Sequence, residues 1–360
     1  MSVFHNNVLS GAAGQTGGAA AVGGPIKSLR FNSGDSASLH RTPSSAGNRK
    51  TWTFAAWIKL SDVGTSDRQV FSCRVSGTAQ IQIGQSGSAL IGFSEFGIFN
   101  LRTSRLMRDP GAWFHLCCVF DSSNSTEGDR ARIYVNGVRE TDFSSETYPS
   151  QNAEASWNKA ERHNIGSLLP SYTNYFHGYM ADIYFIDGSA LDATSFGAFD
   201  DNGVWQAAAY SGTFGTNGFH LLDFANESTI GHDSSGNEND FTAVNFSTTA
   251  GAGNDVLFDV PVNGTQSDTG AGGEVSGCYA TLNPLQAITN SPTNGNLEIG
   301  GSSTGTYTKS VSTIYIDPED TTGYYCEFTV VTTGTNPGGH IQLIPQLNVT
   351  NNGKGETGGV

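Results

Sequence analysis

The stretch ARIYVNGV, residues 131–138, carries the most informative local pattern in the chain. Strand-favouring residues stand on both sides of the pair Asn136-Gly137. Asn and Gly both tolerate positive φ angles, so this pair between two apolar runs favours a type I′ turn. The sequence therefore predicts an antiparallel hairpin that turns at residues 136 and 137.

Similar runs extend outward from this hairpin in both directions. They are short, rich in β-branched and aromatic residues, and separated by Gly, Ser, Asn and Asp, often at a spacing of about 8–12 residues, which is typical of an antiparallel sandwich or barrel. The only plausible helix is short, over residues 192–199, with Asp192 as its N-cap. The predicted strand runs are 29–31, 52–58, 69–75, 79–83, 90–94, 98–106, 113–120, 131–135, 138–143 and 176–186.

The composition excludes several classes of protein. The chain has 360 residues, with 18 basic and 33 acidic side chains and a net charge of −15. A nucleic-acid binder needs basic residues to neutralise phosphates, so we expect no nucleic-acid partner. No uncharged apolar run approaches the roughly 18 residues of a membrane span. The five cysteines form no C-x-x-C pair, and the N-terminus does not resemble a signal peptide, so we expect free thiols and synthesis in a reducing cytoplasm.

Shifts in composition divide the chain into four parts. Residues 1–27 contain six Gly and five Ala and form an arm that is either disordered or ordered by a larger assembly. Residues 28–248 contain most of the predicted strands. Residues 249–277 form a Gly-rich linker or long loop, and residues 278–360 begin a second, incomplete β domain with strand-like runs at 311–316, 324–331 and 340–344. The candidate attachment residues of the arm are Val3, Phe4, Val8 and Leu9.

Three segments resemble a known all-β family. WFHLCCVFD (113–121) resembles the W-x-H strand of laminin-G-like, concanavalin A-like jelly rolls, and ARIYVNG (131–137) resembles the hairpin that follows it. FHGYMADIYFID (176–187) resembles the closing strand of these domains. The resemblance covers about residues 28–224 and implies an antiparallel jelly-roll sandwich within residues 28–248.

A narrower resemblance concerns virion proteins of marine tailed phages, known mainly as tail fibres or related appendages. It implies a structural role in a virion assembled in the host cytoplasm. That family commonly continues into a SPRY-like β-sandwich, and YYCEFTV (324–330) resembles the start of one. The matching segments are RTPSS (41–45), NRKTW (48–52), YPSQN (148–152), FIDG (185–188), YSGTFGTNG (210–218), DSSGN (233–237) and TLNPL (281–285).

Calcium is the only cofactor that the sequence brings forward. Oxygen side chains at Asp233, Ser235, Asn237 and Asp240 alternate along one loop, a pattern that can bind a hard cation. The loop lacks the EF-hand spacing. The alternative is an Asx-turn loop that is held by its own side-chain-to-backbone bonds.

Exposed aromatic and amide side chains could bind carbohydrate, because rings stack on sugars and amides bond to hydroxyls. The alternative is that these aromatic side chains belong to the core or to an interface. By contrast, we expect Trp52, Trp57, Trp113 and His115 to be core residues, and Cys117 and Cys118 to point to opposite faces of one strand. The carbohydrate-binding candidates are Trp157 with Asn158, and Tyr172, Asn174, Tyr175 and His177 in the loop 168–177.

Catalytic signatures are missing from the sequence. The chain contains no E-x-D-x-x-E strand and no G-x-S-x-G elbow, and no two His residues have metal-ligand spacing. We therefore expect no enzymatic activity. The prediction is a tail fibre or appendage protein for host adhesion, with the arm on other virion proteins, a host glycan as ligand, and a homo-oligomer such as a trimer. The alternatives are a purely structural capsid decoration protein and, third, a polysaccharide-degrading enzyme.

Overall fold

A computed structural model of the chain describes residues 25, 27–62, 67–74, 78–84, 88–168, 174–222, 224, 229–249, 253–262, 277–287, 290–300 and 310–314. Its 3₁₀ turns lie at Ser33–Asp35, Glu127–Asp129, Ala193–Ser195 and Pro284–Gln286. Its strands are β1 Ser28–Phe31, β2 Ser38–Arg41, β3 Thr51–Leu60, β4 Arg68–Arg74, β5 Thr78–Ile83, β6 Leu90–Glu95, β7 Phe99–Leu106, β8 Trp113–Asp121, β9 Ala131–Val135, β10 Val138–Arg139, β11 Phe143–Thr147, β12 His163–Ile165, β13 Gly178–Asp187, β14 Gly197–Phe199, β15 Trp205–Ala207, β16 Phe219–Leu221, β17 Thr242–Val244 and β18 Val256–Leu257.

Two large sheets form the sandwich, and the pairs between these strands are antiparallel. The first sheet has the order β10-β9-β8-β3-β13-β1-β18, with β16 paired to β13. The second has the order β11-β7-β6-β5-β4-β12-β2-β17. The predicted all-β antiparallel sandwich is therefore confirmed.

Aromatic rings fill the space between the sheets. Trp52 on β3 stacks on Phe120 at 5.5 Å and on Phe185 at 5.6 Å between ring centroids. It also meets Phe93 of the second sheet at 5.7 Å and Trp157 at 5.0 Å. Trp52 is fully buried, and truncating a core Trp to Ala typically costs about 3–5 kcal/mol. This cluster fixes the separation of the two sheets.

The outer face of the first sheet is also covered by protein. Trp57, Cys117 and Tyr184 belong to a second apolar cluster on that face, under the segment 190–214. His115 lies in the same layer, and burial lowers its pKa to about 3. Because β3, β8 and β13 are covered on both faces, their sequences read as continuous apolar runs.

Local predictions are confirmed at two places and wrong at a third. Asn136 and Gly137 have φ angles of 48° and 78°, as the type I′ hairpin requires. Asp192 caps the next turn by accepting from the Thr194 N–H, although the predicted helix 192–199 is a single 3₁₀ turn followed by β14. The predicted single strand 138–143 is two strands, because β10 ends the first sheet and β11 begins an edge of the second.

Part of the predicted linker 249–277 belongs to the sandwich. Its described residues 253–262 include β18, which pairs with β1 at the edge of the first sheet. The buried Arg30 Nε donates to Asp255 Oδ1 at 2.9 Å. This stretch therefore packs on the jelly roll and does not act as a free spacer there. In the run 311–316, residues 311–314 contribute one isolated bridge, Leu282 with Ser312. The runs 324–331 and 340–344 lie outside the described residues.

The cysteines in the described part of the chain are free thiols. Cys118 faces the core between the sheets and Cys117 faces the outer apolar cluster, which confirms their opposite orientations. Burial raises the pKa of Cys73 to about 12 and raises the pKa values of Cys117 and Cys118 as well. Among the described residues, no helix is long and apolar enough to cross a bilayer.

Candidate functional site

The structure places the tryptophan candidate inside the core. Trp157 has no exposed surface, and its ring contacts Trp52 and Phe93. Asn158 is also buried and donates from Nδ2 to Asn48 O at 3.0 Å and to Asp187 Oδ1 at 2.6 Å. The expectation that this pair binds carbohydrate is wrong, because the Trp157 ring has no face left for a sugar.

The loop 168–177 is described only in part. Tyr172 lies outside the described residues, and Asn174 and Tyr175 are half-buried. His177 accepts a hydrogen bond from the Ser33 N–H through Nδ1 at 3.3 Å, and burial lowers its pKa. His177 thus holds the turn after β1. Asn174 and Tyr175 remain candidates at the border of the second sheet.

The loop 233–240 is held by its own hydrogen bonds. Asp233 Oδ1 accepts from the N–H groups of His220 and Ser235. Asp233 Oδ2 accepts from Ser235 Oγ and from the Asn239 N–H. Asp240 Oδ1 accepts from the Asp233 N–H at 2.8 Å. Both oxygens of the Asp233 carboxylate therefore accept hydrogen bonds from the protein itself, as the Asx-turn alternative predicts.

The side chain of Asn237 clamps this loop onto a neighbouring one. Its Nδ2 donates to the carbonyl oxygens of Gly215 and Gly218. No group of His, Cys, Asp and Glu side chains with metal-binding geometry occurs within the described ranges. The attachment candidates Val3, Phe4, Val8 and Leu9 lie outside those ranges.

A row of polar side chains crosses the whole second sheet on its outer face. Its neighbours along each strand, among them Ile81, Phe93 and Leu101, point inward and belong to the core, so the alternation of a strand directs the row outward. Each member is paired in register with the next. In spatial order the members of this polar row are Thr147, Asn100, Ser94, Gln80, Ser72, Asn164, His40 and Thr242.

A second, shorter row runs beside the first on the same face. It contains, in register, Gln69, Gln82, Gly92, Arg102 and Ser145. Gln69 Nε2 donates to Gln82 Oε1 at 2.8 Å. We call these thirteen residues of the two rows the polar face.

Several polar atoms of this face are buried and have no hydrogen-bond partner in the described part of the chain. They are Gln69 Oε1, Gln82 Nε2, Arg102 Nε and His40 Nδ1. Buried polar atoms in native proteins are nearly always paired, so four unpaired atoms on one surface need an explanation. Gln69 and Gln82 have no exposed surface, whereas Arg102 and His40 are half-buried, so a ligand on this face can reach the side chains of Arg102 and His40.

The border of the polar face carries charged and aromatic groups. Arg162 Nε donates to Asn164 Oδ1 at 2.8 Å, so its guanidinium lies on the face. Burial lowers the pKa of Arg162, whereas Tyr175 acts in the opposite direction. Burial and the neighbouring Arg162 both lower the pKa of His40.

An exposed aromatic ring flanks the other end of these strands. Phe96 follows Ser94 by two positions, and its N–H donates to Thr78 O at 3.0 Å, which continues the ladder between β5 and β6. The ring of Phe96 is 87% exposed. Strand alternation places it on the same side as Ser94 and Gln80, where it offers a flat apolar surface next to polar side chains.

The polar row ends in an open groove at the β17 edge. The groove has a volume of about 480 Å³ and is lined by His40, Thr242 and neighbouring polar residues, including Glu238 and Asp240. His40 and Thr242 belong to the row and to the groove, so the two form one continuous polar surface.

Sequence reasoning missed this surface because its members are spread over eight strands. The signal lies in the alternation of strand segments, such as Thr78, Gln80 and Gln82 between Ala79 and Ile81, or Asn100 and Arg102 around Leu101. Alternation assigns these side chains to the outer face. Only the register of the sheet shows that they form one row.

The comparison with protein-family models agrees with the observed fold. A laminin-G-type family model, described as the concanavalin A-like lectin/glucanases superfamily, matches residues 31–195. No curated protein matches the chain.

Three solved structures illustrate the likeness. A protein from Bacteroides ovatus proposed to bind carbohydrate has a TM-score of 0.39 and 13% identity, with 62% of this chain and 60% of that chain covered. Domain 4 of the GH43 extracellular arabinanase AbnA from Geobacillus stearothermophilus, in complex with arabinotriose, has a TM-score of 0.36 and 17% identity, over 51% and 82% of the two chains. The enzymatically active domain of tailspike protein 2 of bacteriophage CBA120 has a TM-score of 0.31 and 13% identity, over 51% and 31%. The match therefore covers less than two thirds of the Bacteroides and tailspike chains. The family model covers residues 31–195, less than half of the chain, and together with the sheet order it identifies the fold as a concanavalin A-like jelly-roll sandwich.

Proposed function

We propose that this protein is a non-catalytic, carbohydrate-binding component of a tailed-phage particle, a tail fibre or appendage whose polar face contacts surface glycan of the host. The observation that carries the proposal is the polar row, in which eight polar side chains stand in register across the outer face of the second sheet. A rigid sheet holds these side chains at fixed spacing, so they can match a repeating ligand.

The chemistry of the polar face fits sugar hydroxyls. Amide side chains such as Gln80 and Asn100 each offer donors and an acceptor, and Ser and Thr hydroxyls offer both. Gln69 and Gln82 are fully buried and bond to each other, so the residues that can meet a sugar are the partly or fully exposed ones, among them Gln80, Asn100 and Thr147. The ring of Phe96 adds an apolar surface of the kind that stacks on the C–H face of a sugar.

Binding is favoured over hydrolysis on this face. Glycoside hydrolysis uses a pair of carboxyl groups on either side of the scissile bond. The thirteen residues of the polar face include no Asp and no Glu. Glu238 and Asp240 lie in the groove beyond the last strand, where Asp240 bonds to backbone and to His232.

The virion part of the proposal rests on the segments that resemble marine tailed-phage appendage proteins. A hydrogen bond joins two of these segments, because Asn217 Nδ2 in YSGTFGTNG (210–218) donates to Ser45 O in RTPSS (41–45). Single glycan sites are weak, and a homo-oligomer repeated on a particle would raise the avidity. We keep the arm 1–27 as the attachment segment and the SPRY-like start at 278–360 as predictions.

Binding to a panel of polysaccharides tests the carbohydrate part. The panel contains neutral polymers (dextran, mannan, galactan) and anionic polymers (alginate, polygalacturonate, dextran sulfate), and binding to each immobilised polymer is measured by biolayer interferometry. We expect at least one polymer to bind, and Gln80→Ala and Phe96→Ala each to weaken that binding about tenfold, because each removes a direct contact. Gln206→Ala is the matched control, since Gln206 lies on the hairpin β14–β15 over the first sheet. Absence of binding to every polymer, or equal losses in all three variants, would refute the proposal.

Immuno-electron microscopy of the phage particles tests the location. Antibody label on the tail or its fibres supports the appendage function. Label spread over the head would refute it in favour of capsid decoration. Particles without label would show that the protein is not a component of the virion.

A further inference from the structure

The polar face has a charge of opposite sign to that of the whole protein. The chain has a net charge of −15. Yet among the described side chains, the formally charged ones on or against the polar face are Arg102 and Arg162, with His40 between Arg162 and the β17 edge. A local positive surface on an acidic protein attracts anionic ligands, whereas the net negative charge elsewhere on the chain repels them.

We infer that the ligand of the polar face is an extended anionic polysaccharide, whose carboxylate or sulfate groups pair with Arg102 and Arg162. This inference rests on the proposed function and adds the class of glycan to it.

The contacts of the two arginines support this assignment. Arg102 Nε is a buried donor without a partner in the described part of the chain, and an unpaired buried donor is costly. Arg162 Nε donates to Asn164 Oδ1, which fixes the plane of its guanidinium against the face. A guanidinium presents its remaining N–H groups as a fork that matches a carboxylate or a sulfate.

The spacing of the arginines implies a polymer. Arg102 is on β7 and Arg162 directly precedes β12, and these two strands are separated by four strand steps in the sheet. With about 4.8 Å between neighbouring strands, the two positions are about 19 Å apart across the sheet. A single sugar cannot reach both, whereas a linear chain of several sugars can, and the half-buried Gln80 lies along that path, next to the buried Ser94.

Carboxylates near the face limit the path of such a polymer. Glu238 and Asp240 line the groove beyond β17, and Asp142 accepts from Ser104 Oγ beyond the Arg102 end of β7. Glu238 and Asp240 outnumber Arg41 in the lining of the groove, so their charge opposes an anionic chain there, as that of Asp142 does beyond Arg102. The path between Arg162 and Arg102, across β12, β4, β5, β6 and β7, therefore remains as the binding region.

The polysaccharide panel described above also tests the class of glycan. The full chain is compared with Arg102→Gln, Arg162→Gln and the control Arg139→Gln, which removes a half-exposed arginine on β10 of the first sheet. Thermal unfolding of each variant first establishes that it is folded. We expect anionic polymers to bind about tenfold more tightly than neutral ones at 50 mM NaCl, and much of this preference to disappear at 300 mM NaCl. Arg102→Gln and Arg162→Gln should each weaken binding of the anionic polymer about tenfold, and Arg139→Gln less than about twofold.

The outcomes separate the two proposals. If neutral polymers bind as well as anionic ones, and Arg102→Gln has no effect, the anionic class is wrong while carbohydrate binding stands. If Arg139→Gln weakens binding as much as Arg102→Gln does, the attraction is a general charge effect and the assigned path is wrong. If no polymer of either kind binds, the proposed function itself fails, and this inference fails with it.

Discussion

Lys59 and Asp259 are 200 positions apart and form a fully buried ion pair, with 2.8 Å between Lys59 Nζ and Asp259 Oδ2. Lys59 Nζ also donates to Tyr279 O at 2.7 Å. The other oxygen of Asp259 accepts from Trp113 Nε1 at 2.9 Å and from the Tyr279 N–H at 3.1 Å. One buried carboxylate therefore joins β3 and β8 to the segment that follows residue 253.

We expect Lys59→Met to destabilise the protein strongly. The substitution keeps the length of the side chain but leaves Asp259 buried without its cation, and breaking a buried pair by removing one partner costs about 3–5 kcal/mol. Denaturant unfolding followed by tryptophan fluorescence measures the loss, because Trp113 reports directly on Asp259.

Arg139→Met provides the matched comparison. The Arg139–Asp129 pair lies at the surface, with side chains 39% and 32% exposed, and such pairs contribute about 0–1 kcal/mol. If the two variants lose similar stability, the pair between Lys59 and Asp259 does not join the C-terminal segment to the sandwich.

The strands and the core could be predicted from the sequence because their signals are local. Asn136-Gly137 determines its own turn, and the alternation around Trp52 and Phe120 places these rings inward. The predicted run 138–143 was wrong because nothing in those six residues shows that the chain changes sheets after Arg139. Similarly, Asp255 and Asp259 look like polar loop residues until Arg30 and Lys59 are found opposite them.

The candidate binding site was less predictable for a physical reason. Trp157 next to Asn158 has the composition of an exposed sugar site, but tertiary packing buries the ring against Trp52. Conversely, Asn100 and Thr147 are unremarkable in sequence and become neighbours on the outer face only through the pairing of β7 with β11. A site made by register across eight strands leaves only a weak trace in any one of them.

Gly97 and Gly137 separate backbone strain from steric contact. Both have a φ angle of +78°, but a Cβ atom at Gly97 meets nothing within 4 Å, whereas at Gly137 it lies 2.3 Å from the Trp205 ring. We expect Gly97→Ala to cost about 1–2 kcal/mol, the price of the left-handed conformation for an L-residue. Gly137→Ala should cost about 1–3 kcal/mol more, because the hairpin β14–β15 must shift. Denaturant unfolding of the two variants measures this difference, and equal losses would show that Trp205 moves aside freely.

His163 should make stability depend on pH below neutrality. Its Nε2 accepts from the Asn158 N–H at 2.9 Å, and its Nδ1 lies 2.8 Å from Glu161 O. Because Nε2 acts as an acceptor, the folded state stabilises the neutral form of the ring. Burial lowers its pKa to about 4. The unfolded histidine protonates near pH 6.5, so its contribution is fully present above that pH and is lost as the pH falls towards 4. The loss at pH 5 is about 2 kcal/mol.

His163→Gln isolates that contribution, because glutamine retains a donor and an acceptor and does not titrate. We expect its free energy of unfolding to fall less between pH 7 and pH 5 than that of the wild type, by about 2 kcal/mol. Other buried groups, among them His115, titrate equally in both proteins and cancel in the difference. Parallel pH profiles would mean that the ring of His163 accepts a proton in the folded state.

Asp233 distinguishes a hydrogen-bonded loop from a calcium site. Its carboxylate accepts from four donors and is 3% exposed, so Asp233→Ala leaves the buried N–H of His220 without a partner and should cost about 1–3 kcal/mol. Asp240→Ala, the control at the exposed end of the same loop, should cost less, because water can replace the Asp240 side chain, which is 57% exposed. Since N–H and O–H donors already surround the Asp233 oxygens, we expect the same melting temperature in 1 mM calcium chloride as in EDTA. A rise in melting temperature with calcium that Asp233→Ala abolishes would show that the ion displaces these donors and that the loop 233–240 is a metal site.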